Sequence, residues 1–88
     1  MDDSPIRRRL SYRAWHRGTR EADYIMGGFF DRHGASLDDA GLAWFARLIE
    51  EQDVDILAWA TGQADPPAHI AGPCFDLLRR LDFIDITR

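Results

Sequence analysis

Apolar residues recur along this chain with a helical period nearly from end to end. Ser4-Pro5 reads as a helix start, a capping hydroxyl followed by proline at the first helical position. Ile6, Leu10 and Ala14 follow at four-residue spacing, with Arg7, Arg8, Arg9 and Arg13 on the other sides. This predicts a first helix over 5–17, closed by Gly18. Ala22, Ile25, Met26, Phe29 and Phe30 form the i, i+3, i+4, i+7, i+8 stripe of a core-facing helix. That second helix is expected over 19–33, capped by Thr19, with Glu21 and Asp23 in its first turn and Gly34 after its end. Ser36 is read as the cap of a third helix over 37–51, whose wide apolar face is Leu37, Gly41, Trp44, Phe45, Leu48 and Ile49. Asp53 is read as the cap of a fourth over 54–61, with Ile56, Leu57 and Ala60 inward and Thr61-Gly62 as its stop. Asp65-Pro66-Pro67 breaks the pattern and 68–71 reads as loop. Gly72-Pro73 restarts it, and Cys74, Leu77, Leu78 and Leu81 mark a fifth helix over 73–83. Residues 84–88 read as a frayed tail. No stretch has the two-residue period of a strand, so the expected fold is all-α: a compact five-helix bundle in a single domain 1–88, ordered over 5–83.

One core is expected from Phe29, Trp44, Phe45, Leu48, Leu57, Leu78 and Leu81. Gly27-Gly28 interrupts the second stripe at a cost of about 1 kcal/mol each relative to alanine. The stripe continues across the pair, which implies close approach by another backbone. The pair is no phosphate loop, since it lacks the GxGxxG pattern, a preceding strand and a following lysine.

Composition narrows the class. The chain has 88 residues, 45% of them apolar, enough for one modest core. Its one cysteine, Cys74, rules out an internal disulfide and fits a reducing compartment. No run approaches the ~20 apolar residues of a membrane span, and the start of the chain lacks the apolar segment of a secretory signal. A cytoplasmic location is the default expectation. The net charge of −4 is unevenly spread. Residues 1–20 hold six arginines against Asp2 and Asp3, while residues 21–88 hold five arginines against thirteen acids. All basic residues are arginine, whose planar fork suits specific pairing with carboxylates.

Enzyme constellations are missing from this pattern. His16, His33, His69 and Cys74 show no HxxxH or CxxC spacing, so no metal is expected. Cys74 falls on an apolar stripe, where cysteine is an inert small hydrophobe. The acid pairs Asp38-Asp39 and Glu50-Glu51 sit at helix ends, where capping and solvation account for them. Arg7-Arg8-Arg9 with Tyr12 and Trp15 has the look of a nucleic-acid contact, but the acidic remainder would repel a polyanion. The run reads instead as a solvated helix face or as a positive surface for an acidic protein partner.

The densest group of directed polar contacts lies in Arg13, Trp15, His16, Arg17, Gly18, Arg20 and Glu21. Arg17 and Glu21 are four apart, but Gly18 between them favours a helix end. The stretch is therefore read as a corner between two helices, where side chains converge for contact with a partner. Trp15 is either an interface anchor beside arginine or a satellite of the core; Trp44 and Trp59 are core.

The residues from Arg13 to Asp23 resemble the RGxxE signature of the small FAD assembly factors, or flavinylation factors, of succinate dehydrogenase. The resemblance continues through Phe29-Phe30, the 37–51 helix, Asp53-Val54-Asp55-Ile56-Leu57-Ala58-Trp59 and the 73–83 segment, covering 8–83 in family order. Gly72 departs from it, standing where relatives often have a polar cap. The resemblance implies a non-enzymatic chaperone that binds the flavoprotein subunit of succinate dehydrogenase, and possibly fumarate reductase, and promotes covalent attachment of FAD to a histidine of that subunit. It implies that Arg17, Gly18 and Glu21 lie at the contact and that FAD belongs to the partner, none being tightly bound here. A conformational role is then expected: holding the flavoprotein so that FAD and histidine reach attack geometry, an effect worth up to about 7–11 kcal/mol of barrier. A monomer that neither binds nucleic acid nor inserts in a membrane is expected. The runner-up is an antitoxin-like regulatory module acting on another, membrane-associated partner.

Overall fold

The computed structural model describes residues 4–84. They form five α-helices and one turn of 3-10 helix, with no strand among them. The helices are α1 (Pro5–Trp15), α2 (Arg20–His33), α3 (Asp39–Leu48), α4 (Asp53–Ala60) and α5 (Pro73–Arg79), and Gly34–Ser36 is the 3-10 turn. The Cα radius of gyration, 12.1 Å, is that of a close-packed single domain of this length, about 12 Å.

The caps explain most boundaries. Ser4 Oγ accepts from the Arg7 amide, with Pro5 at the first helical position. Thr19 Oγ1 accepts from the Ala22 amide and starts α2. α3 begins later than the periodicity suggests, capped by Asp38 and not by Ser36: Asp38 Oδ1 accepts from the Gly41 amide at 2.8 Å. Ser36 belongs to the 3-10 turn, and its hydroxyl donates to the His33 carbonyl at 2.8 Å; the Arg7 guanidinium donates to the carbonyls of Gly34 and Leu37 on either side. α4 starts at Asp53 itself, with Gln52 at the cap position making no side-chain bond. Gly62, at φ +82, turns the chain after α4.

α5 starts at Pro73 as expected, although no side chain caps it. Gly72 there has φ +142, a conformation that side chains rarely adopt, which answers the missing polar cap with a backbone requirement. The helix ends at Arg79, short of the expected 83, because Leu81 takes a left-handed φ of 52 and turns the chain back. That turn sends Phe83 against Phe29 and Gly28. Ile84, read as the start of a frayed tail, is half-buried and packs on the core, while 85–88 lie outside the described residues.

Phe29, Phe45, Leu48 and Leu78 are fully buried and Trp44 nearly so, in one cluster. Leu57 and Leu81 only flank it, and Ile56 takes the central place on α4. Ile6 is half exposed and leaves Leu10 and Ala14 as the buried residues of α1. The 68–71 loop contributes Ile70, fully buried, whose carbonyl accepts from Trp44 Nε1 at 2.8 Å. Gly27 and Gly28 are approached chiefly by rings: the Trp15 indole lies over Gly27, and the Phe83 ring, with the Phe83 carbonyl oxygen behind it, over Gly28.

Candidate functional site

The corner between α1 and α2 is built around the Arg17 side chain. The chain leaves α1 at Trp15, and Arg17 points inward, its side chain only 10% exposed. A helix of this kind leaves its last carbonyls without intrahelical donors. Arg17 supplies donors at the end of α3: Nη1 donates to the Ile49 carbonyl at 2.6 Å and Nη2 to the Glu51 carbonyl at 2.8 Å. Nε donates to Asp53 Oδ1 at 2.8 Å, an ion pair. One guanidinium thus ties the α1–α2 corner to the end of α3 and the start of α4, using the several coplanar donors that lysine lacks.

The backbone of the corner is held as well. Arg17 N–H donates to Asp23 Oδ1 at 2.6 Å, and Gly18 N–H donates to Asp53 Oδ2 at 2.8 Å. Gly18 is exposed and does not adopt a positive φ. A Cβ there would stand 3.1 Å from Asp53 Oδ2, tight enough that the carboxylate would have to shift by a few tenths of an ångström. The Arg17 guanidinium thus makes its bonds within the fold, to Asp53 and to the carbonyls of Ile49 and Glu51. Its companion in the motif, Glu21, is exposed on the first turn of α2 and makes no ion pair among the described residues; the local Arg17–Glu21 pair does not form.

A groove of about 790 Å³ runs beside the corner, between the end of α1 and the start of α4. Tyr12, His16, Gly18 and Val54 line it, with the Arg13–Glu50 pair at 2.8 Å on its rim. The Arg13 guanidinium bonds to Glu50 and holds its carboxyl below the usual glutamate range. The His16 ring stacks on Tyr12 with centroids 3.9 Å apart, and its Nδ1 meets the Tyr12 carbonyl at 2.6 Å. Tyr12 and Val54 are 64% and 71% exposed, so the groove presents two large apolar side chains to solvent. Arg20 and Glu21 stand outside the groove, exposed. Trp15 is half-buried: its indole lies over Gly27 and faces a second groove of about 680 Å³ between α1 and α2, which Tyr12 and His16 also line.

The structure therefore brings Arg13, His16, Arg17 and Gly18 together around one groove, leaves Arg20 and Glu21 outside it, and places Trp15 in the adjoining groove that shares Tyr12 and His16. It adds Asp23, Asp53 and Val54, which sequence reasoning had as dipole acid, helix cap and unremarked apolar residue. Only the length of the Asp53-to-Trp59 segment in the resemblance pointed that way. Among the described residues no three of His, Cys, Asp and Glu converge as metal ligands. Burial, with the Asp38 charge second, pushes the Cys74 thiol up and away from thiolate chemistry. No helix among the described residues is long and apolar enough to cross a membrane.

The family model described as flavinator of succinate dehydrogenase matches residues 8–82. Similar curated proteins include the "FAD assembly factor SdhE" of Acetobacter pasteurianus, 35% identical over 75 residues, covering 85% of this chain and 66% of that protein. The "Succinate dehydrogenase assembly factor 2, mitochondrial" of Cryptococcus neoformans is 34% identical over 80 residues, covering 90% of this chain and 46% of that protein. The protein of the same name from Arabidopsis thaliana is 30% identical over 71 residues, covering 80% of this chain and 38% of that protein. This chain thus spans between about a third and two thirds of the length of these relatives. No solved structure matches significantly. With an all-α fold and a match that runs from within α1 to beyond α5, this chain belongs to the family of flavinators of succinate dehydrogenase.

Proposed function

We propose that this chain is an assembly factor that binds the flavoprotein subunit of succinate dehydrogenase and promotes covalent attachment of FAD to it. The observation that carries this reading is the family match over 8–82, which includes the whole Arg17–Glu21 corner. Fumarate reductase, whose flavoprotein poses the same task, is included as a second client. The role is that of a chaperone and not an enzyme. The charged groups of the corner are largely paired with one another, Arg17 with Asp53 and Arg13 with Glu50, which suits shape presentation better than proton transfer. FAD and its acceptor histidine belong to the partner, and the chain acts as a monomer without a tightly held flavin. The RGxxE residues are its contact motif, through the exposed Gly18 and Glu21. It works where the flavoprotein is assembled, which in a bacterial setting is the cytoplasm; several relatives carry "mitochondrial" in their names.

The test mixes the purified chain with the purified flavoprotein subunit lacking covalent flavin, adds FAD, and reads flavin fluorescence in the denatured subunit on a gel. Covalent fluorescence should appear faster or to a greater extent with the chain present. No difference would overturn the reading. Gel filtration of the chain alone should give a colourless monomer.

A further inference from the structure

The Arg17–Gly18 corner is held from beneath by one carboxylate. Asp53 accepts from Arg17 Nε on Oδ1 and from the Gly18 amide on Oδ2, each at 2.8 Å. The two bonds fix consecutive residues of the corner from a helix some 35 positions away in the chain. Asp53 stands at the start of α4, and Gln52 before it makes no side-chain cap bond. Acids at such positions ordinarily serve their own helix; this one is turned to another segment. Asp23 completes the cradle by accepting from the Arg17 amide. Gly18 is followed directly by the Thr19 cap and by the first turn of α2, which carries Glu21. Where Asp53 holds Gly18 therefore sets where Glu21 stands.

We propose that Asp53 is the positioning residue of the partner-contact site. It holds Arg17 as an internal strut and Gly18 at the surface, so that Gly18 and Glu21 meet the flavoprotein subunit in a fixed relation while Arg17 does not touch it. This rests on the functional reading above.

The experiment compares wild type, Asp53→Asn, Gly18→Ala and Asp55→Asn for binding to the purified flavoprotein subunit, each well below its own melting temperature. Exchange of the Gly18 amide proton is followed in parallel by NMR. Asp55 is an exposed neighbour in the same helical turn, and Asp55→Asn removes the same charge without touching the corner. Asp53→Asn should speed Gly18 amide exchange and raise Kd by at least about tenfold, equivalent to about 1.4 kcal/mol, with helical content kept. Gly18→Ala, whose Cβ comes within 3.1 Å of Asp53 Oδ2, should weaken binding and speed exchange of its own amide proton. If Asp53→Asn does not fold, weaker binding by Gly18→Ala with wild-type amide exchange overturns the proposal, since the loss is then one of direct contact at residue 18. Asp55→Asn should bind as wild type. Folded Asp53→Asn with unchanged Kd would overturn the proposal, and so would equal weakening by Asp53→Asn and Asp55→Asn. If wild type itself does not bind the subunit, it is the functional reading that fails, and Gly18 amide exchange alone then decides whether Asp53 holds the corner.

Discussion

The Trp15 indole covers Gly27 so closely that a Cβ at Gly27 would collide with its Cγ, Cδ2 and Cε2 atoms. Trp15 Nε1 donates to Asp31 Oδ1 at 3.3 Å, one turn further along α2, and the Tyr24 ring meets the indole edge-on with centroids 6.3 Å apart. The end of α1 is thereby clamped flat onto α2 immediately before the chain turns into the Arg17 corner. Gly27→Ala should displace the indole and cost about 1–3 kcal/mol, in the range of overpacking, despite alanine's better helix propensity. Tryptophan fluorescence and thermal melting check this; a variant that melts at or above wild type would show that the indole shifts at no cost.

Arg17→Ala should destabilise the fold. It removes a guanidinium that satisfies two carbonyls after α3 and leaves the Asp53 carboxylate without its cation. A loss of about 3 kcal/mol is expected, the low end for breaking a buried ion pair, because Asp53 keeps some contact with water. Denaturant melts of Arg17→Ala and Arg17→Lys read it, with lysine recovering only part because it lacks the fork.

Leu48→Ala should cost about 2–5 kcal/mol, since Leu48 is fully buried beside Phe45 in the central helix. In a domain this small each kcal/mol lowers the melting temperature by roughly 4–8 °C. A melt within a degree or two of wild type would contradict the packing described.

Acid should loosen the segment after α5. His33 Nε2 donates to Asp82 Oδ1 at 3.2 Å, and this bond, with the charges of His33, Arg80 and Arg32, holds the Asp82 carboxyl below its ordinary value. A carboxyl with a depressed folded pKa contributes stability that is present above its unfolded pKa, about 4, and is lost as pH falls through the folded value. Asp82→Asn should melt below wild type at neutral pH, and the two melting curves should converge toward pH 2. A gap that stays constant down to that pH would remove this bond from the account.

Glu21→Ala and Val54→Arg should leave the melting temperature within a degree or two of wild type. Both side chains are exposed, and neither is paired among the described residues. Each should weaken binding to the flavoprotein subunit, Glu21→Ala by removing a charged acceptor and Val54→Arg by placing a bulky cation on the groove wall. Titration of the purified partners measures it; wild-type affinity in both would move the contact away from this corner.

Five helices, their order and most of the core were legible in the sequence because each helix carries its own stripe and its own punctuation. Ala22 to Phe30 faces inward wherever α2 is placed, and Thr19 caps it with atoms three residues away. Such features are local, and period and composition report them. The corner residues were legible for a related reason: Arg13 to Glu21 is contiguous, so its density of polar groups survives in one dimension.

Direction and partnership were decided only by the tertiary structure. Arg17 reads as a surface arginine four residues from Glu21, yet it turns to Asp53 and to carbonyls at 49 and 51, which the chain brings near only after α2 and α3 have packed. Asp53 reads as a helix cap, and its carboxylate could have served α4; the stronger charge-assisted bonds to Arg17 and Gly18 take it. The same holds for Asp38 capping α3 while Ser36 sits in the 3-10 turn with its hydroxyl on the His33 carbonyl, and for the rings that fill the space over Gly27 and Gly28. A sequence states which side chains are available. Which donor meets which acceptor depends on distances that exist only when the helices are in place.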